Sequence, residues 1–267
     1  MRAIRKNFAR VPTAIEAFEI FGRPARVEPA RKEQAFIDSA ERTQIGEGND
    51  NIAVYAWGEG PVVALVHGWG GRAVSMCSFI EPLLQQGFRI VSFDGPGHGD
   101  SEGNTCNVLR MSRCIRTLAD REGGFVAAIG HSFGAGGINV ALGHGLDLSR
   151  VVHIAPLVNM VERFRQWSVA VGLTPEGFRE LMARCDVSFG RGEVEAAAGD
   201  KIARLLDVPA LVIHDPEDDE VPFAGAVRLV ECWKGALLME APRLGHYRIV
   251  RSPVVVQSAV GFVTQTC

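Results

Sequence analysis

The stretch Gly130-His131-Ser132-Phe133-Gly134 constrains this chain more than any other. The apolar run Phe125-Val126-Ala127-Ala128-Ile129 precedes it and has the length of a buried strand. Ala135 to Leu142 follows and reads as the start of a tightly packed helix. A G-x-S-x-G between a strand and a helix is the nucleophile-elbow pattern. The glycines have a steric reason. A sharp strand-to-helix turn strains the serine backbone, and Cβ atoms at the flanking positions would collide with the packed turn. Such a turn lifts the Ser132 hydroxyl above the sheet edge. It also places the Phe133 amide at a helix N-terminus, where developing negative charge is favoured.

With 267 residues, 47% of them hydrophobic, the chain can form one large core or one core with an insertion. A net charge of −3 carries no electrostatic footprint for nucleic acid or an anionic membrane. The basic start, Met1 to Asn7, leads into no continuous apolar region, because Arg10, Pro12, Thr13 and Glu16 interrupt it. No secretory signal and no membrane span are expected. Six scattered cysteines (Cys77, Cys106, Cys114, Cys185, Cys232, Cys267) contain no C-x-x-C. They read as reduced packing residues of a cytoplasmic protein, and no metal site is expected.

Along the chain, Phe8, Val11, Ile15, Phe18 and Phe21 recur at helical spacing, and Arg23 to Pro29 breaks that pattern. Residues 1–40 therefore read as an N-terminal helical arm, docked on the body or forming a homodimer contact. Glu41–Ile45 and Ile52–Trp57 suit a hairpin across Gly46 to Asn51. Then strand, glycine turn and helix alternate. The strands are 62–66, 88–93, 125–129, 151–155, 210–214 and 236–240. The helices are 73–86, 107–122 and 135–143, with a closing helix from Ser252 to Thr264. Continuous apolar strands alternating with helices predict an α/β fold with a mostly parallel sheet covered on both faces. The core comprises residues 41–156 and 208–267. Residues 157–207, helical in pattern and rich in apolar groups, predict a small helical lid over the C-terminal strand ends.

Ser132 needs a base, and the base needs an orienting acid. Among seven histidines, His246 lies just past the last strand, on a loop able to lean over the sheet edge. The acid falls within Asp215-Pro216-Glu217-Asp218-Asp219-Glu220; Asp218 is placed to turn back toward His246, with Asp215 and Asp219 as alternatives. The strand before the lid ends without a carboxylate. Two amides are needed for an oxyanion, those of Phe133 and Trp69, the latter in His67-Gly68-Trp69-Gly70-Gly71. His67 reads as a structural residue that pins this turn. Asp94, His98 and Ser101 read as residues that fix the loop 94–101 beside the pocket. Trp69, Phe164 and Trp167 are the expected substrate-binding residues.

These segments, His67 to Gly71, Asp94 to Ser101, Gly130 to Gly134, Asp218 to Pro222 and Gly245-His246, resemble the α/β-hydrolase family in its order of serine, acid and histidine. The resemblance implies an eight-stranded sheet with its second strand antiparallel and a lid after the sixth strand. It also implies a Ser132–Asp218–His246 triad and no metal or organic cofactor. It leaves residues 1–40 outside. Asp215-Pro216 stands where many members have a glycine after the histidine. The implied activity is serine hydrolysis of a small-molecule carboxylic ester of small or medium acyl size. Thioester, lactone, amide or carbon–carbon hydrolysis would use the same residues, and a ligand-binding protein with little turnover is the other alternative.

Overall fold

The computed structural model describes residues 10–265; the expectations for Phe8 and Cys267 lie outside them. The elements in chain order are α1 (Ala14–Gly22), α2 (Arg31–Ser39), β1 (Glu41–Glu47), β2 (Asp50–Trp57), β3 (Val62–Val66), α3 (Ile80–Leu84), β4 (Arg89–Phe93), α4 (Val108–Glu122), β5 (Ala127–His131), α5 (Phe133–Gly143) and β6 (Arg150–Ile154). There follow α6 (Met160–Val171), α7 (Pro175–Phe189), α8 (Glu193–Ala196), α9 (Gly199–Ala203), β7 (Ala210–His214), α10 (Phe223–Cys232), β8 (Leu237–Glu240), α11 (Gly245–Arg248) and α12 (Pro253–Val263). Short 3-10 helices span Ala73–Phe79 and Ile249–Arg251.

One eight-stranded sheet runs in the order β1-β2-β4-β3-β5-β6-β7-β8. β2 pairs antiparallel with both β1 and β4, and every later pairing is parallel. Every residue of β3, β5 and β7 is buried, because helices cover both faces of these strands. Successive side chains go to opposite faces. Val63 and Leu65 join a core with Phe79, Ile80 and α12, while Ala64 and Val66 join one with α4 and α5. A third cluster lies off the sheet, where Ala14 and Ala17 of α1 meet Phe164, Trp167, Leu181 and Cys185 of α6 and α7. The arm thus docks on the body of its own chain. Cys77, Cys106, Cys114, Cys185 and Cys232 are free thiols. Among the described residues no helix is long and apolar enough to cross a membrane.

Several boundaries differ from the sequence expectation for identifiable reasons. The hairpin turns tightly on Gly48-Asn49, with Glu47 opposite Asp50 and Gly48 at φ +61°, rather than across six residues. The helix expected over 73–86 is a 3-10 segment followed by the five-residue α3. Pro82 lacks an amide hydrogen and is tolerated only in the first turn of a helix, so a fresh start at Ile80 accommodates it. The strand before the elbow reaches His131 instead of stopping at Ile129, since Gly130 stays paired with both Val66 and His153. Helices α2 and α10 have no counterpart in the sequence reading, and His246, expected on a loop, lies in the one-turn helix α11.

Helix α5 lies close against β3. A Cβ at Gly134 would collide with the carbonyl oxygens of Val66 and His67, which are backbone and cannot swing aside. Gly134→Ala is therefore expected to destabilise the protein by about 1–3 kcal/mol. Thermal unfolding should show a melting temperature lower by roughly 2–10 °C; an unchanged melting temperature would contradict this close approach.

Candidate active site

β5 delivers Ser132 directly into α5. Ser132 has φ 51° and ψ −114°, a left-handed conformation that costs a non-glycine residue about 1–3 kcal/mol. Its amide donates to the Ile154 carbonyl at 2.9 Å, and its own carbonyl accepts from Leu157 at 3.1 Å and Gly136 at 3.2 Å. The flanking strand and helix thus hold the strained turn. Phe133 is the first residue of α5, so its amide is among those without an intrahelical partner.

Three loops at the C-terminal edge of the sheet meet at this hydroxyl. His246 Nε2 lies 2.9 Å from Ser132 Oγ, and His246 Nδ1 lies 2.7 Å from Asp218 Oδ2. This spacing puts the proton on Nδ1, donated to the carboxylate, and leaves the Nε2 lone pair to accept from the hydroxyl. Ser132 and His246 are buried, and the Asp218 side chain is fully covered. Asp218 accepts further bonds at Oδ1 from the amides of Glu220 (2.8 Å) and Val221 (3.0 Å), and His214 Nε2 lies 3.3 Å from Oδ2. Burial opposes the charge of Asp218. The hydrogen bonds from His214 and His246 and from the Val221 amide outweigh that burial and hold the carboxyl far below the usual carboxylate range.

Asp215, the alternative acid, does different work. It accepts from Glu217 N at 2.9 Å and from Gly245 N at 2.5 Å, and the amides of Leu244 and Arg243 also favour its charge. Its carboxylate therefore anchors the turn that leads into α11 and His246, in which Arg243 has φ +65°. From the other side His131 Nε2 lies 2.9 Å from the His246 carbonyl oxygen, to which a ring N–H donates, and the two rings sit 4.8 Å apart. The sequence singled out neither His131 nor His214 for such contacts; that of His131 depends on a segment 115 residues away, whereas that of His214 is with a residue four positions on.

The residues around the Trp69 turn are equally constrained. His67 accepts from the Gly95 amide at 2.9 Å and donates to the Gly68 carbonyl at 2.7 Å. Asp94 accepts from the amides of Ala73 (2.6 Å) and Asp100 (2.7 Å), and Ser101 Oγ donates to the Asp94 carbonyl at 2.5 Å. His98 turns inward on Pro96 O and lies edge-on to Trp69, with ring centres 5.4 Å apart. Trp69 also packs edge-on against Phe133 at 5.0 Å. A cavity of about 880 Å³ opens on Ser132 and His246; Trp69, Phe164 and Trp167 all line it.

A model of the alpha/beta hydrolase family matches residues 63–258. The chain belongs to that family. Among curated proteins it is 23% identical over 236 residues to the 2-hydroxy-6-oxo-6-(2'-aminophenyl)hexa-2,4-dienoic acid hydrolase of Metapseudomonas resinovorans, covering 73% of this chain and 81% of that protein. It is 30% identical over 135 residues to protein phosphatase methylesterase 1 of Bos taurus, covering 42% of this chain but only 34% of the methylesterase. Among solved structures, the esterase EaEST from Exiguobacterium antarcticum superposes with a TM-score of 0.66 at 18% identity, over 84% of this chain and all of that one.

Four buried histidines make the stability of this arrangement pH-dependent. Burial is the largest cause in each case, lowering His67 to about 4 and His98, His131 and His153 to about 3. In the unfolded chain each titrates near ~6.5. Above that pH neither state binds these protons. As pH falls from 6.5 toward 4 only the unfolded state takes them up, so stability falls. Unfolding at pH 5 should take up about four protons by this route. Urea denaturation across pH 7 to 4.5 measures it, and a flat midpoint over that range would contradict the buried neutral assignment.

Proposed function

We propose that this protein is a serine hydrolase that cleaves carboxylic esters of small or medium acyl groups through an acyl-enzyme. The observation that carries this reading is the continuous line from Asp218 through His246 to Ser132 at the floor of the cavity. In this reading His246 Nε2 takes the Ser132 proton as Oγ attacks the ester carbonyl carbon. Asp218 stabilises the imidazolium that forms. The Phe133 amide, at the N-terminus of α5, and the Trp69 amide hold the oxyanion of the tetrahedral intermediate. His246 then protonates the departing alkoxide. Water, deprotonated by the same imidazole, attacks the acyl-enzyme and releases the acid. Helices α6 to α8 act as a lid, with Phe164 and Trp167 forming the apolar side of the pocket, whereas α9, also expected in the lid, packs into the sheet core.

A second reading has support from the Metapseudomonas relative, which carries the name of a dienoic acid hydrolase over most of both chains. Carbon–carbon hydrolysis would use the same serine and histidine, with a carbanion rather than an alkoxide to protonate. Steady-state kinetics on p-nitrophenyl acetate and butanoate distinguish the readings. Ester turnover is expected. Ser132→Ala should lower kcat by a factor on the order of 10⁵ or more, and Asp218→Asn by about 10⁴. Turnover of a vinylogous diketone without ester turnover would favour the second reading. Ester hydrolysis undiminished in Ser132→Ala would overturn both.

A further inference from the structure

The family match begins at residue 63, yet a large part of the cavity wall comes from before it. Phe18, Ile20 and Phe21 of α1 line the cavity together with Ala25, Val27 and Glu33. The face of α1 turned toward α6 and α7 is aromatic. The ring of Phe21 lies 4.2 Å from that of Trp167 and 4.7 Å from that of Phe164, both edge-on, and Phe18 lies 5.6 Å from Phe189 of α7. Phe164 and Trp167 are nearly covered, and Phe21 supplies part of that cover. Aromatic rings in edge-on contact hold their positions better than alkyl chains, because both shape and quadrupole fix the geometry.

The segment is also held by bonds independent of its aromatic contacts. The Gly22 carbonyl accepts from Cys106 N at 2.7 Å. Arg26 donates to the carbonyls of Gly99 (2.5 Å) and Gly103 (2.8 Å), so its guanidinium clamps the segment to the loop beyond β4. The Val27 carbonyl accepts from Arg72, and Glu33 pairs with Arg251 at 3.1 Å. Trp57 Nε1 donates to Phe36 O at 3.0 Å, which ties α2 to β2. Thr13 and Glu16 form a complete capping box at the start of α1. These attachments, from the start of α1 to α2, make a fixed wall out of what would otherwise be a terminal extension.

We infer that the segment from Phe18 to Glu33 is a built-in wall of the substrate cavity, and that Phe21 is a specificity-determining residue limiting the bulk of the apolar acyl group accepted beside Ser132. The inference rests on the hydrolytic reading for the meaning of "acyl", but the wall itself can be tested without turnover. Phe21, Phe164, Trp167 and Met160 all line the cavity, and this stretch of wall suits an acyl group ending in an aromatic ring, which can meet the rings edge to face. Truncating Phe21 enlarges the cavity there; replacing it with tryptophan narrows it.

The experiment compares p-nitrophenyl 4-phenylbutanoate with p-nitrophenyl butanoate on wild type, Phe21→Ala and Phe21→Trp. The readout is the ratio of kcat/KM for the bulkier ester to that for the smaller one. The ratio should rise at least fivefold in Phe21→Ala and fall at least threefold in Phe21→Trp. A ratio unchanged or lowered in Phe21→Ala, or unchanged in Phe21→Trp, overturns the inference and leaves the segment a mere cover. Should Phe21→Ala fail to fold by circular dichroism, Phe21→Leu takes its place with the same expected sign. If wild type hydrolyses neither ester, the hydrolytic reading is what fails. The ratio of association constants for 4-phenylbutanoate and butanoate, measured by calorimetry on the same variants, then decides the wall alone by the same criteria.

Discussion

The left-handed turn at Ser132 is the constraint on which the rest of the structure depends. A serine at φ 51° persists only where its surroundings over-determine it, and here they do. Its amide and carbonyl are both engaged, and the helix that follows is pressed against β3 through Gly134. Of the parallel strands on either side, β3 is buried along its whole length and β6 in all but Arg150, so the sheet gives the turn a rigid base. The turn presents the hydroxyl at the C-terminal edge of the sheet, where loops from β3, β7 and β8 converge. The glycines of the elbow, the hydrophobic strands and the position of the cavity are thus consequences of one local geometry.

Two carboxylates three residues apart illustrate how the surroundings assign roles. The Asp218 side chain is fully covered, faces two imidazoles and two amides, and stays ionised because those partners outweigh its desolvation. Asp215 spends its acceptors on the backbone of residues 243–245 and so positions the histidine loop rather than the histidine ring. The departure from the family pattern at Asp215-Pro216 has a structural outcome here: where a glycine would offer no side chain, a carboxylate ties the loop after β7 to the loop after β8. His131, held neutral by burial, clamps the same loop through the His246 carbonyl.

Much of this was legible in the sequence, for physical reasons that can be named. The parallel strands were readable because burial on both faces requires continuous apolar runs such as 62–66 and 210–214. The helix expected over 107–122 is α4, one residue shorter because Asn107 caps it: its side chain accepts from the Arg110 amide. Asp218 and His246 were placed by their distance past a strand end. The helical spacing of Ile15, Phe18 and Phe21 was visible, but what that face meets was not, since Phe164, Trp167 and Phe189 lie far along the chain. Likewise the role of Asp215 is set by the Gly245 amide, 30 residues away, which nothing local reveals. Helix α2 was hidden by its charged composition; only Glu33 and Ile37 of its residues are buried.

The central claim is that the buried hydroxyl of Ser132 is made nucleophilic by the imidazole and carboxylate aligned behind it. Reaction with a fluorophosphonate, followed by peptide mass spectrometry, tests it most directly. The account predicts one adduct, on Ser132, formed at least a hundredfold more slowly in folded His246→Ala. Folded wild-type protein that forms no adduct, carries it on another residue, or reacts as fast without the imidazole would contradict it.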